Sequence, residues 1–239
     1  MPCVLHIETS TTVCSVALSL NSRILYNKVS FDGPSHAALL GVFVEEALQQ
    51  LEAENIKLDA VAVSSGPGSY TGLRIGVSLA KGLCFGYGIP LIAVPTLELL
   101  AATAIQKTDD PDACYCAMLD ARRMEVYAAI YDKELVLLRE TAADIVDETT
   151  YITYLHKGKV YFFGNGSTKC QTVIHSPHAV FIDDVHPLAV NMVALAEKAY
   201  GESSFVDTAY FEPFYLKEFQ ATIAKNKVIN EALRKNTER

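Results

Sequence analysis

Asp59-Ala60-Val61-Ala62-Val63-Ser64-Ser65-Gly66-Pro67-Gly68-Ser69-Tyr70-Thr71-Gly72-Leu73-Arg74-Ile75-Gly76 reads as a strand, a tight turn and the opening of a helix. Asp59–Ser64 is rich in β-formers, Gly66-Pro67-Gly68 breaks the chain, and Leu73–Tyr87 follows as a helix. The junction has the look of a phosphate loop but meets neither common template. Its glycines are not spaced G-x-G-x-x-G, and no Lys-Ser or Lys-Thr pair follows. Gly66 and Gly68 permit positive φ, and Pro67 stiffens the turn between them. What remains is a strand–turn–helix junction whose N–H groups suit either an anion or a purely structural turn.

The helix itself is unusual. Gly72, Gly76, Gly82 and Gly86 lie in or beside it, and together they cost roughly 3–4 kcal/mol relative to alanine. Something must offset that cost. Gly72/Gly76 and Gly82/Gly86 are i,i+4 pairs, each a smooth patch that another backbone can approach. Arg74 and Lys81 alone interrupt the apolar surface, and they share one face. A helix apolar nearly all round is buried on more than one side. Upstream, Ser35 is a suitable N-cap for a helix over His36–Leu51. Leu40, Val44, Ala47, Leu48 and Leu51 form its main apolar face, and Leu39, Val42 and Phe43 widen it. Both helices are expected to bury one stripe in their own lobe and offer the rest to a partner. The competing reading makes both ordinary core helices of a large sheet.

Further outward, Val4–Ile7 ends at Glu8, Val13–Leu20 alternates with period two, and Arg23–Val29 continues as a strand. Leu91–Val94 and Thr96–Ile105 add a strand and a helix. The order then begins again. Ala113–Leu119 ends at Asp120, Glu125–Tyr131 and Leu135–Arg139 follow as strands, and Ala142–Leu155 reads as a helix. Lys159–Phe163 is a strand broken by Gly164-Asn165-Gly166, with helices at Ala189–Tyr200 and Ile223–Lys235 and an aromatic connection over Phe211–Phe219. Two copies of β-β-β-α-β-α with matched acidic strand ends predict an α/β protein with a duplicated actin-like, ribonuclease H-like two-lobe fold. The first lobe is assigned to 1–107 and the second to 108–219, with a helix over 220–239 packing back on the first. Phosphates in such a fold would meet the turns after the first strand of each lobe. Those turns bring forward Glu8, Thr9, Ser10, Asp120 and Arg122, together with Gly66, Gly68 and Ser69.

At 239 residues the chain falls between one domain and two, on a prior of about 150 residues each. Its net charge of −8 argues against holding RNA unaided, because phosphate neutralisation calls for a basic stripe. The basic cluster Lys225, Lys227, Arg234, Lys235 and Arg239 reads as a solvated helix face. No apolar run approaches the roughly 18 residues of a membrane span. Met1-Pro2-Cys3-Val4-Leu5-His6 lacks the basic start of a signal peptide, so a cytoplasmic location is expected. Six cysteines without a C-x-x-C pair read as buried reduced thiols. His36 has no histidine partner at i+4, and His175 and His178 lie in a Ser/Pro loop without nearby acids. No metal site and no catalytic residue is therefore expected in this chain.

His6-Ile7-Glu8-Thr9-Ser10, the Ser35-His36 helix start, Ser65–Gly76, Asp120-Ala121-Arg122-Arg123 with Glu125-Val126-Tyr127, and Pro213-Phe214-Tyr215-Leu216-Lys217 together carry a resemblance over nearly the whole chain. The sequence resembles the TsaB (YeaZ) family, bacterial tRNA threonylcarbamoyladenosine biosynthesis proteins of the TsaD, glycoprotease-like group. The resemblance implies a non-catalytic dimerisation subunit of the complex that adds threonylcarbamoyl to tRNA adenosine. Its catalytic paralogue TsaD would hold the metal-binding histidines and the nucleotide, and an ATPase, TsaE, would join. This chain would need no cofactor, with ATP and a divalent metal on the partner subunits. Pairing would use the two helices, with His36, Leu39, Leu40, Phe43, Gly72, Arg74, Gly76, Val77 and Lys81 at the interface. The chain alone would form a homodimer, meet tRNA only through the complex and bind no membrane. Glu8 stands where the resemblance expects Asp, which argues against a metal in this chain's own cleft. Lys217 stands where it expects Arg. The competing reading is an autonomous actin-like ATP-dependent enzyme or a glycoprotease-like metallopeptidase.

Overall fold

The computed structural model describes residues 2–33, 35–108 and 110–217. The helix expected over 220–239 lies outside the described residues. The period-two stretches form an antiparallel meander of β1 (Cys3–Glu8), β2 (Cys14–Leu20) and β3 (Arg23–Ser30). After α1 (His36–Glu54), β4 (Ala60–Gly66) pairs parallel to β1. After α2 (Tyr70–Tyr87), β5 (Leu91–Pro95) pairs parallel to β4, and α3 (Thr96–Thr108) follows. The sheet order is β3-β2-β1-β4-β5.

The second half repeats it with β6 (Cys114–Asp120), β7 (Glu125–Tyr131), β8 (Leu137–Ile145), β9 (Val160–Phe163) and β10 (Ala179–Ile182), in the order β10-β9-β6-β7-β8. Read from β8, this is the order of the first sheet. Two equivalent mixed sheets make the duplicated actin-like two-lobe α/β fold.

The copies differ in their crossovers. Between β8 and β9 there is one helical turn, α4 (Ile152–Leu155), and between β9 and β10 another, α5 (Ser167–Cys170). The helix expected over Ala142–Leu155 is therefore mostly absent. Ala142 and Ala143 favour a helix intrinsically, but they extend β8 opposite Ala128 and Tyr127. Asp144 is held there by both guanidinium nitrogens of Arg139 at 2.9 and 2.6 Å and by the Tyr151 hydroxyl at 2.8 Å. Tertiary pairing overrides propensity. The strand β10 is not among the expected elements, although Ala179-Val180-Phe181-Ile182 is a short β-forming run ahead of Asp183-Asp184. The helix over Ala189–Tyr200 begins as a 3-10 turn, Ala189–Met192, before α6 (Val193–Gly201).

Leu5, Ile7, Val16, Leu18, Val61 and Val63 face α1 and α2, packed on Leu40, Phe43, Val44, Ala47, Val77 and Ala80. On the opposite face Val4, Ala60, Ala62, Ile92 and Val94 meet Leu99, Met192 and Ala196. Both faces of the first sheet are thus covered, as a sheet with parallel central strands requires. Leu97, Leu100, Ala101 and Ala104 of α3 instead fill the core of the second sheet with Tyr115, Ala117, Leu119 and Phe163. The packing crosses between the two halves of the chain. The helix α3, from the first half, covers the second sheet, and α6, from the second half, returns to the first. The two meet where Asn191 Nδ2 donates to Thr103 Oγ1 at 3.0 Å.

Candidate functional site

The strand-to-helix junction is built around the β1–β2 turn. Ser69 occupies the N-cap of α2, where its hydroxyl accepts the Gly72 N–H at 3.2 Å. The helix begins at Tyr70, three residues before the expected start. The Ser69 N–H donates to the Ser10 carbonyl at 2.6 Å, and the Thr9 hydroxyl donates to the Gly72 carbonyl at 2.8 Å. A Cβ on Gly68 would overlap Ser10, and one on Gly72 or Gly76 would overlap Thr9. Gly66 alone of the loop glycines needs positive φ, at +102°, with Phe214 backbone oxygen 2.7 Å from where a Cβ would lie.

These contacts correct one expectation. The Gly72/Gly76 patch is filled by Thr9 of the same lobe and offers nothing to a partner. His36, Leu40, Phe43 and Val77 are likewise buried in the first lobe's own core, with His36 Nε2 hydrogen-bonded to the Thr11 carbonyl at 2.8 Å. Leu39 is half-buried against that core. Arg74 and Lys81 hold a strap formed by residues 207–217. Lys81 Nζ donates to the carbonyls of Ala209 and Phe211, each at 3.0 Å. Arg74 lies over the Tyr70 ring and reaches the Tyr215 hydroxyl at 3.4 Å. Phe214 N–H donates to the Ser65 carbonyl at 2.7 Å, and Lys217 crosses to the second lobe to pair with Glu125 at 2.5 Å.

The faces of α1 and α2 turned away from the sheet carry different residues. On α2, Arg74, Ser78, Gly82 and Phe85 are exposed, Phe85 by 88 %. On α1, Ala37, Ala38, Gly41 and Val42 are exposed, Val42 by 47 %. A Cβ on Gly41, Gly82 or Gly86 would meet none of the described residues within 4 Å. Of the two glycine pairs in the sequence, Gly82/Gly86 lies on this outward side, and the 74-78-82-85 spacing marks its stripe.

Between the lobes lies a cleft of about 1140 Å³. Ser10, Gly68 and Ser69 line it from one side, Asp120 and Arg122 from the other, and the strap residues Phe214 to Lys217 enter its mouth. Asp120 accepts the Arg122 N–H at 3.1 Å and pairs with Lys169, while its own N–H donates to Asn165. Arg122 and Arg123 both adopt positive φ. Glu8, Thr9 and Gly66, expected on this cleft, do not line it: Thr9 turns under α2 and Glu8 points into the protein. The Glu8 carboxyl is fully buried, with Oε1 accepting the Ser10 N–H at 2.5 Å and Oε2 without a partner. Burial pushes its pKa up to about 7, against the smaller opposing effect of the Ser10 and Ser64 hydrogen-bonding groups. Burial pulls nearby His6 down to about 3. Among the described residues, no group of three His, Cys, Asp or Glu side chains is placed to hold a metal ion. No helix among them is long and apolar enough to cross a membrane.

The model of one protein family, described as TsaD, tRNA N6-adenosine threonylcarbamoyltransferase, matches residues 33–225. The tRNA threonylcarbamoyladenosine biosynthesis protein TsaB of Bacillus subtilis is 33 % identical over 141 residues, a match covering 59 % of this chain and 60 % of that protein. The Escherichia coli protein of the same name is 29 % identical over 220 residues, covering 90 % of this chain and 94 % of its own. The solved structure of YeaZ from Pseudomonas aeruginosa superposes with a TM-score of 0.77 at 27 % identity, covering 90 % of this chain and all of that one. The chain belongs to the TsaD family, on its TsaB (YeaZ) branch.

Proposed function

We propose that this chain acts in tRNA threonylcarbamoyladenosine biosynthesis as a non-catalytic subunit, docking a TsaD-type paralogue through the outward faces of α1 and α2. The observation that carries the reading is the exposed stripe of Gly41, Val42, Ser78, Gly82 and Phe85, small residues around one aromatic anchor. Such a surface admits close backbone approach and has the composition of an interface centre. In this reading the chain self-associates through the same stripe when alone, and the TsaE ATPase and tRNA join only in the larger complex. ATP and a divalent metal belong to the partners, and the chain works in the cytoplasm.

The test is pairing of the purified chain with a TsaD partner, followed by size-exclusion chromatography and calorimetry. Phe85→Glu and Val42→Glu should weaken pairing by at least about a hundredfold and leave the melting temperature of the lone chain unchanged. Unaltered pairing by both variants would overturn the reading. The inter-lobe cleft favours one alternative, an autonomous ATP-dependent enzyme. Calorimetric titration with Mg-ATP decides it, and saturable binding with turnover by the lone chain would replace the subunit reading.

A further inference from the structure

Glu8 sits at the end of β1 with no counter-ion among the described residues. The groups facing it can be named element by element. His6 lies two residues back on the same strand face, neutral through burial, with Nε2 bonded to Ser19 Oγ and Nδ1 unpartnered. From β2 come Cys14, whose thiol is pushed up to about 11, and Ser15, which accepts the Ala189 N–H. From β4 comes Ser64, and at the start of α3 stands Thr96; both are fully buried, and neither hydroxyl has a hydrogen-bond partner. The strands β1 and β4 are neighbours, with Ile7 opposite Val63, so Glu8 and Ser64 lie side by side at the strand ends. The helix α1 packs on the opposite face of β1, with Leu5 and Ile7, and its His36 is engaged with the Thr11 carbonyl. The 3-10 turn Ala189–Met192 carries no ionisable side chain, and on α2 the guanidinium of Arg74 is exposed and engaged with Tyr70 and Tyr215. Among the described residues no lysine or arginine acts on the Glu8 carboxyl.

A buried carboxyl with one well-formed hydrogen bond, the Ser10 and Ser64 hydroxyls beside it and no cation among the described residues is best accommodated as the neutral acid. Its single bond is mechanically placed. It fixes the Ser10 N–H, Ser10 receives the Ser69 N–H, and the adjoining Thr9 fills the glycine hollows of α2. We propose that Glu8 is a buried proton switch for α2: the neutral acid locks the Thr9-Ser10 turn under the helix, and ionisation draws water to Glu8 and loosens that seat. The consequence for partner docking rests on the subunit reading above; the seating of α2 does not.

The experiment uses the lone full-length chain. A carbon-13 carboxyl titration of Glu8 should show a midpoint between pH 6 and 8. Hydrogen exchange at the Ser69 and Leu73 amides, corrected for the intrinsic pH dependence of exchange, should lose about tenfold protection between pH 6 and pH 8. The Glu8→Gln variant should keep its protection across that range. A carboxyl midpoint below pH 5, or equal loss of protection in wild type and Glu8→Gln, would overturn the switch. Partner pairing is measured separately at both pH values. Pairing that ignores pH while amide protection changes would count against the docking face and leave the switch standing.

Discussion

Thr9 and Gly72 grip one another from both sides. The Thr9 hydroxyl donates to the Gly72 carbonyl at 2.8 Å, and the Thr9 carbonyl fills the volume a Cβ on Gly72 would need. The two residues are 63 positions apart in the chain. Their contact sets the depth at which α2 lies on the first sheet, and much of the site's behaviour follows from it.

The glycines of α2 should separate into two classes. Gly72→Ala gains helix propensity but forces the turn away, for a net loss of about 2 kcal/mol. Gly82→Ala meets open space and should stabilise by up to about 1 kcal/mol. Urea unfolding of both variants checks this. Stabilisation by Gly72→Ala would contradict the seating described above.

Val77 marks the boundary between core and docking face. It is 3 % exposed, so Val77→Glu buries an unpaired carboxylate and should unfold the chain. Phe85→Glu should leave the fold intact. Circular dichroism melts of the two variants distinguish core from surface without any partner present.

The pH profile of stability should be shaped by two opposing groups. Glu8 has a folded pKa of about 7 against 4.5 when unfolded. The folded state therefore binds more protons between those values, and stability is lost as pH rises through them. His6 has a folded pKa of about 3 against 6.5, so its contribution is lost as pH falls below 6.5. Between pH 5 and 6.5 the slopes oppose and the wild-type curve should be nearly level. Glu8→Gln removes one slope, leaving stability that climbs with pH to about 6.5. Its advantage over wild type should grow with pH and reach roughly 3 kcal/mol at pH 8. Parallel curves for the two proteins in denaturant titrations from pH 5 to 8 would refute this assignment.

In the second lobe, Arg139 is the cation that makes a buried Asp144 tolerable. Arg139→Met strands that carboxylate and should cost about 3 kcal/mol. Tyr151→Phe removes one hydrogen bond and should cost about 1 kcal/mol. Chemical denaturation of both variants tests the ranking.

The strand β2 is legible because its period-two alternation decides it. The repeat was legible because two acidic strand ends and two glycine breaks fall at matching places. The Ala142-Ala143 pair was misread because local propensity favours a helix, while the residues that decide the matter, Tyr127 and Ala128 on β7, enter only through pairing. At the site, the glycines of α2 announced a close approach but could not say by what. Thr9 answers for Gly72 and Gly76, whereas Gly82 faces nothing among the described residues. Arg74 and Lys81 looked like partner contacts because the strap that occupies them returns from more than a hundred residues away. Glu8 was legible as a strand-end acid; its turn away from the cleft was not.

The single-turn crossovers α4 and α5 have one more consequence. A duplicated chain with a full helix pair on each lobe would display two equivalent faces and could join head to tail without limit. Here, among the described residues, the long crossover helices α1 and α2 are on one lobe only. An assembly made through them has valence one: it saturates at a pair and cannot grow into a filament.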